Sequence, residues 1–201
     1  MGILQSIFGP SKDEIWSQLA NDMGGLYKKG GFFGTDVLRY RSGEWEVTLD
    51  TYTTGKNNTV YTRMRAPFVN KDGLYFRIYR QGFFATIGKA FGMQDIEIGD
   101  PYFDDEFIIK GNSEQKIQML LADPELKDRI RRQPDICLQV KNDEGWFGAK
   151  FPSGVDELYF QCYGVLKDKE LLKNLFEMFC ITLQRLVQID SAYENDPNVR
   201  L

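Results

Sequence analysis

Between Val37 and Arg80, apolar and polar residues alternate with the two-residue period of a half-buried sheet. Strands are predicted from Val37 to Arg41, Glu44 to Tyr52, Thr59 to Ala66 and Leu74 to Arg80. A two-residue turn at Ser42-Gly43 would set Arg41 opposite Glu44 and Arg39 opposite Glu46. In the next hairpin Asp50 would face Arg63 and Tyr52 would face Tyr61. One face of this meander is apolar, through Trp45, Val47, Leu49, Val60, Met64, Leu74, Phe76 and Ile78. The other carries Arg39, Glu46, Asp50, Tyr61, Arg63, Arg65, Tyr75, Arg77 and Tyr79.

The pattern changes to a helical one on either side. Ser11-Lys12-Asp13-Glu14 is a capping box that starts a helix with Ile15, Trp16, Leu19 and Met23 on its buried side, and Gly24-Gly25 stops it. An apolar connector from Gln81 to Gly92 and a short strand from Asp95 to Gly99 follow the meander. Next comes the stretch Gly99 to Gly111, in which four carboxylates (Asp100, Asp104, Asp105 and Glu106) and three aromatics fall within eight residues. It reads as a turn feeding a short strand. A central helix pair runs through Ile117, Leu120 and Leu121 and then from Asp123-Pro124 to about Arg132. Three more strands are expected, Ile136 to Lys141, Trp146 to Phe151 and Glu157 to Tyr163. A closing helix from Asp168 to Asp190 repeats Leu172, Leu175, Phe176, Phe179, Leu183, Leu186 and Val187 at helical spacing, and the tail from Tyr193 to Leu201 is expected to fray. The fold class that results is a single α+β domain spanning residues 1–201. In it a largely antiparallel sheet of about seven to nine strands packs on the long C-terminal amphipathic helix, with the N-terminal helix and central pair at its edges.

Composition narrows the function. The 201 residues include 25 basic and 29 acidic ones, a net charge of −4, which argues against nucleic acid as a partner. There is no histidine, so His-based acid/base chemistry, Ser-His or Cys-His activation and His-ligated zinc are excluded. Cys137, Cys162 and Cys180 each lie inside an apolar run, as buried reduced thiols do. No apolar run has the length of a membrane span, which points to a cytoplasmic protein without a transmembrane segment. Met1-Gly2-Ile3-Leu4-Gln5-Ser6 fits an acylation pattern at Gly2, read against a plain apolar lead-in. The glycines from Gly25 to Gly34 lack the spacing of a phosphate loop.

Two candidate sites emerge. Asp100 and Asp104 are weak candidates for a hard cation, since an extended chain there would turn neighbouring carboxylates to opposite faces. The competing reading has them holding a turn. Tyr61, Arg63, Arg65, Tyr75, Arg77 and Tyr79 form a candidate partner face, because Tyr and Arg dominate binding hot spots; the competing reading is a solvated sheet face of paired charges. No catalytic residue and no cofactor motif is found.

The pattern Ile98-Gly99-Asp100-Pro101-x-Phe103-Asp104-x-x-Phe107-x-x-Lys110-Gly111, followed by Glu114 and an Ile/Leu-rich helix, resembles a group of uncharacterised bacterial proteins with a G-D-x-x-F-D-x-x-F core. The likeness runs from Gln94 to the end of the last helix. It implies a bacterial cytoplasmic setting and supplies no catalytic residues. The expected function is a non-catalytic binding or scaffolding module whose partner is an unidentified protein or a second copy. An apolar cavity lined by Phe83, Phe84, Phe91 and Phe147 would instead bind a small molecule, and a carboxylate-based metal-dependent hydrolase is the third reading.

Overall fold

The computed structural model describes residues 9–31, 35–54, 58–82, 94–142 and 151–201. The acylation pattern at Gly2, the phenylalanines Phe83, Phe84, Phe91 and Phe147, and the expected strand at Trp146 to Phe151, apart from Phe151 itself, lie outside those residues.

Helix α1 (Lys12–Met23) starts at the capping box, where Ser11 Oγ accepts from the Glu14 amide at 3.2 Å and Glu14 Oε2 accepts from the Ser11 amide at 2.9 Å. The strands β1 (Leu26–Lys28), β2 (Val37–Ser42), β3 (Trp45–Thr54), β4 (Thr59–Asn70) and β5 (Phe76–Arg80) follow. After β6 (Gln94–Asp95) come α2 (Pro101–Glu106), β7 (Phe107–Gly111), α3 (Glu114–Leu121) and α4 (Pro124–Arg131). The chain then forms β8 (Cys137–Lys141), β9 (Val155–Tyr163), the long helix α5 (Lys169–Gln188) and β10 (Ala192–Tyr193).

One antiparallel sheet results, in the order β1-β2-β3-β4-β9-β8-β5-β7-β6, with β10 paired to the end of β4. Strand β9, late in sequence, lies against β4 from Tyr61↔Tyr163 to Val69↔Val155 and so joins the first meander to the second strand group. Its inward residues Leu158 and Phe160 lie opposite Ala66 and Met64 of β4 and opposite Val140 and Leu138 of β8. The same cluster takes in Trp16 and Leu19 of α1 and Leu172, Phe176, Phe179 and Leu183 of α5. Burying such side chains contributes roughly 1.5–3 kcal/mol each, which makes this layer the main source of stability.

The β3–β4 register is the expected one, with Asp50 opposite Arg63 and Tyr52 opposite Tyr61. The β2–β3 register differs: the turn residues are Gly43 and Glu44, and Arg41 faces Glu46. Gly43 takes φ 58° as the first turn residue, which suits a glycine there. A slip by two keeps every side chain on its face, so both expected ion pairs survive on diagonals, Arg39 with Glu46 at 3.4 Å and Arg41 with Glu44 at 3.9 Å.

Four further expectations are corrected. Strand β5 begins at Phe76 rather than Leu74, and Val60 is half-buried rather than core. The stretch after Gly99 is a short helix, α2, before it becomes strand β7. The tail does not fray: Ala192 pairs with Asn70, Pro197 is buried, and the Leu201 main-chain oxygen accepts from Arg39 Nη2 at 2.5 Å.

Gly111 marks a tight crossing. A Cβ there would run into Ile117 Cδ1 and lie 2.9 Å from the Tyr75 carbonyl oxygen. Gly111→Ala is expected to lower stability by about 1–3 kcal/mol, read as a lower urea midpoint with an unchanged slope.

Candidate binding face

The outward face of the sheet is polar, yet much of it is buried. Asp50 is 3% exposed and Arg65 4%, and Thr48, Gln139, Glu157 and Tyr159 are buried as well. Solvated, evenly paired charges are therefore the wrong picture for the centre of this face. Asp50 is its hub: it accepts from Arg63 Nε at 2.6 Å and Nη2 at 3.1 Å, and from Arg65 Nη2 at 2.6 Å. The carboxylate and the two guanidiniums lie on adjacent strands because the alternation of β3 and β4 places Asp50, Arg63 and Arg65 outward.

Next to the hub is a row of tyrosines. Tyr52, Tyr61 and Tyr163 sit in register across β3, β4 and β9. The first two rings stack with centroids 5.3 Å apart, and Tyr163 meets Tyr61 edge-on at 5.7 Å. The Arg63 guanidinium lies 5.0 Å from the centre of the Tyr52 ring, closing that end. Gln161 Oε1 accepts from the hydroxyls of both Tyr52, at 2.8 Å, and Tyr159, at 2.9 Å. Burial pushes the Tyr52 and Tyr159 hydroxyls above the usual tyrosine range, so both stay protonated donors at neutral pH. The far end of the row is open, with Tyr163 69% exposed.

The six expected face residues are not one patch. Tyr61, Arg63 and Arg65 share β4, whereas Arg77 and Tyr79 lie on β5, separated from β4 by β9 and β8, or about 14 Å at the usual strand spacing. Arg77 Nε donates to Gln139 at 2.9 Å, and Tyr79 is buried. Tyr75 precedes β5 and leaves the face: its hydroxyl donates to Asp156 Oδ1 at 3.2 Å, at the end of the sheet where Asn70 Nδ2 donates to Asp156 Oδ2 at 2.6 Å. Burial raises the Asp156 carboxyl. Tyr163, Tyr159 and Gln161 were missed, although the alternation of Glu157, Tyr159, Gln161 and Tyr163 with Leu158, Phe160 and Cys162 in β9 carries the signal.

The cation candidates are engaged elsewhere. Asp100 caps α2, accepting from the Phe103 amide at 3.2 Å and from Lys127 Nζ at 2.6 Å, with Arg131 at 3.7 Å. The Lys127 ammonium holds its carboxyl below the usual range. Asp104 turns back to accept from the amides of Ile98 and Gly99, both at 3.0 Å. The Phe103 and Phe107 rings pack at a tilt of 31° with centroids 4.5 Å apart, and Arg131 and Arg80 cover them. A metal would have to displace these bonds. Among the described residues no three carboxylates or thiols are grouped as metal ligands.

The thiols are not activated. Burial pushes Cys162 up to about 12 and raises Cys137 and Cys180 as well. Folded protein is expected to react only slowly with Ellman's reagent at about pH 8, and all three thiols to react at once in denaturant. Rapid reaction of a folded thiol would contradict this placement.

An open groove of about 540 Å³ runs between α1, β2, α4 and α5. Its floor includes Met23, Tyr40, Phe176 and Ile181, and charged residues such as Asp22, Glu125, Arg129 and Lys173 form its rim. No helix among the described residues is long and apolar enough to cross a membrane.

No protein-family model matches this chain, and no curated protein matches it. Among solved structures it is similar to the crystal structure of the mycobacterial trehalose monomycolate transport factor A, TtfA. The two align over 89% of this chain and 93% of that one, with a TM-score of 0.50 at 6% identity. That likeness is one of fold.

Proposed function

We propose that this chain is a non-catalytic binding module that engages a protein partner at the Tyr61 and Tyr163 corner of its sheet. The observation that supports this most is the tyrosine row itself, stacked from Tyr52 outward, braced by Arg63 and Gln161 and ending in the exposed Tyr163 ring. Aromatic side chains already fixed before binding lose little rotamer freedom when a partner covers them. The engaged carboxylates and unactivated thiols fit a binding role better than a hydrolytic one. Membership of the bacterial group sharing the G-D-x-x-F-D-x-x-F core belongs to the same proposal.

A photo-crosslinking amino acid at position 163, with position 102 as a control, tests it in the host cell. Tyr102 is 84% exposed but lies on α2, outside the tyrosine row. A discrete protein adduct from position 163 and none from 102 is expected. No adduct, or the same adducts from both, would overturn the reading.

A second reading, binding of an apolar small molecule, is compatible with the fold likeness to a protein titled a trehalose monomycolate transport factor. The groove over Met23, Tyr40, Phe176 and Ile181 is the described place for such a ligand. Its mixed, charged rim ranks it second.

A further inference from the structure

Strand β9 runs past the end of β8. On its other side it is paired to β4 throughout, and two bonds set the phase of that ladder, from the Gly164 amide to the Val60 carbonyl at 2.8 Å and from the Asn70 amide to the Gly154 carbonyl at 2.9 Å. Even-numbered residues of β9 exchange main-chain bonds with β4, so Gln161 and Tyr163 turn their amides and carbonyls toward the β8 side. There the pairing stops at Leu138↔Phe160. The chain before Cys137 leaves the line of the strand, because Pro134 and Asp135 form an exposed turn and Ile136 is drawn, fully buried, into the core.

Tyr163 is therefore an uncovered end. Among the described residues nothing bonds to its main-chain amide or carbonyl, and the residue is 69% exposed. Proteins usually guard such an edge with a lysine, a proline or a bulge. Phe160 to Val165 contain no charge and no proline, and the pairing with β4 runs on to Tyr163 in unbroken register. An amide and a carbonyl presented side by side by one residue match one residue of an extended chain, which returns both bonds as an antiparallel pair. A helix, whose main-chain groups bond internally, offers that edge nothing.

We infer that the partner at the tyrosine corner docks as an extended segment of its chain, adding to the free edge of β9 by two main-chain bonds to Tyr163. The segment's residue opposite Tyr163 points to the same outward face and lies against the ring, where an aromatic or β-branched side chain packs best. Tyr61, edge-on to that ring at 5.7 Å, backs it from the β4 side. This rests on the reading of the corner as a protein-binding site and specifies how the partner is held there.

The test removes one main-chain donor and leaves the ring. The α-hydroxy analogue of tyrosine, placed at position 163 of the full chain, puts an ester oxygen where the amide N–H was. That amide makes no bond within the sheet, so the ester form is expected to stay folded, as circular dichroism would show. The protein that co-purifies with the unaltered chain from its host is titrated against both forms, and the ester form is expected to bind it about tenfold more weakly. Tyr163→Ala, which keeps the amide but loses the ring, should weaken binding as well. Equal binding by the ester form and the unaltered chain, with binding lost in Tyr163→Ala, would keep the corner as a binding site and overturn strand addition. Unchanged binding in both altered forms, or no co-purifying protein at all, would overturn the reading of the corner together with this inference.

Discussion

Phe103→Ala is expected to remove about 3–5 kcal/mol of stability, a large share of the roughly 5–15 kcal/mol of a typical domain. Phe103 is fully buried, its ring packs at a tilt against Phe107 with centroids 4.5 Å apart, and the Arg131 guanidinium lies 5.3 Å from its centre. Arg80, over Phe107, donates in turn to the main-chain oxygens of Pro134 at 3.1 Å and Arg131 at 2.9 Å. The two rings therefore hold α2 and β7 against the end of α4, and a cavity there loosens three elements together. Urea unfolding measures the loss. Tyr102→Ala, one position away but exposed, should change stability by no more than about 0.5 kcal/mol. Equal effects of the two substitutions would mean that the aromatic pair is not the joint.

Asp50→Ala is expected to cost a similar amount, about 3–5 kcal/mol, by a different mechanism. The substitution takes from Arg63 and Arg65 the carboxylate that both reach at 2.6 Å, on a part of the face where Arg65 is nearly out of water. The penalty comes from leaving a buried cation without this counter-charge, so Asp50→Asn, which keeps the acceptor oxygen, should cost less. Thermal unfolding of the two variants tests the order. A loss below about 1 kcal/mol for Asp50→Ala would return this network to the class of solvent-screened surface pairs.

The parts of the fold that were legible are those set by local pattern. Alternation in β3 and β4 fixed both faces and the Asp50 to Arg63 register, and helical spacing fixed α5. The β2–β3 register was misread because alternation cannot distinguish a slip of two residues; only the positive φ of Gly43 does. The G-D-x-x-F-D-x-x-F stretch was misread as extended because Phe103 and Phe107, four apart, share a face in a strand and in a helix alike. Asp100 before Pro101 was the missed sign, a cap followed by a proline at the first helical position.

The candidate site was legible only in its β3–β4 half. Placing β9 beside β4 depends on a pairing between residues about a hundred positions apart, which no local pattern specifies. Without it, Tyr163 and Gln161 could not be added to Tyr52 and Tyr61, and Arg77 and Tyr79 were grouped with residues three strands away. The docked tail was missed for a related reason. A polar segment held by charges at distant positions looks, in sequence, like any frayed end.

Native mass spectrometry of the full chain purified from its own host, beside its denatured mass, tests the binding reading most directly. A co-purified protein is expected, lost when Tyr61 and Tyr163 are both changed to alanine while the variant stays folded. A bound metal or small-molecule mass that survives those two substitutions, with no protein partner, would contradict it.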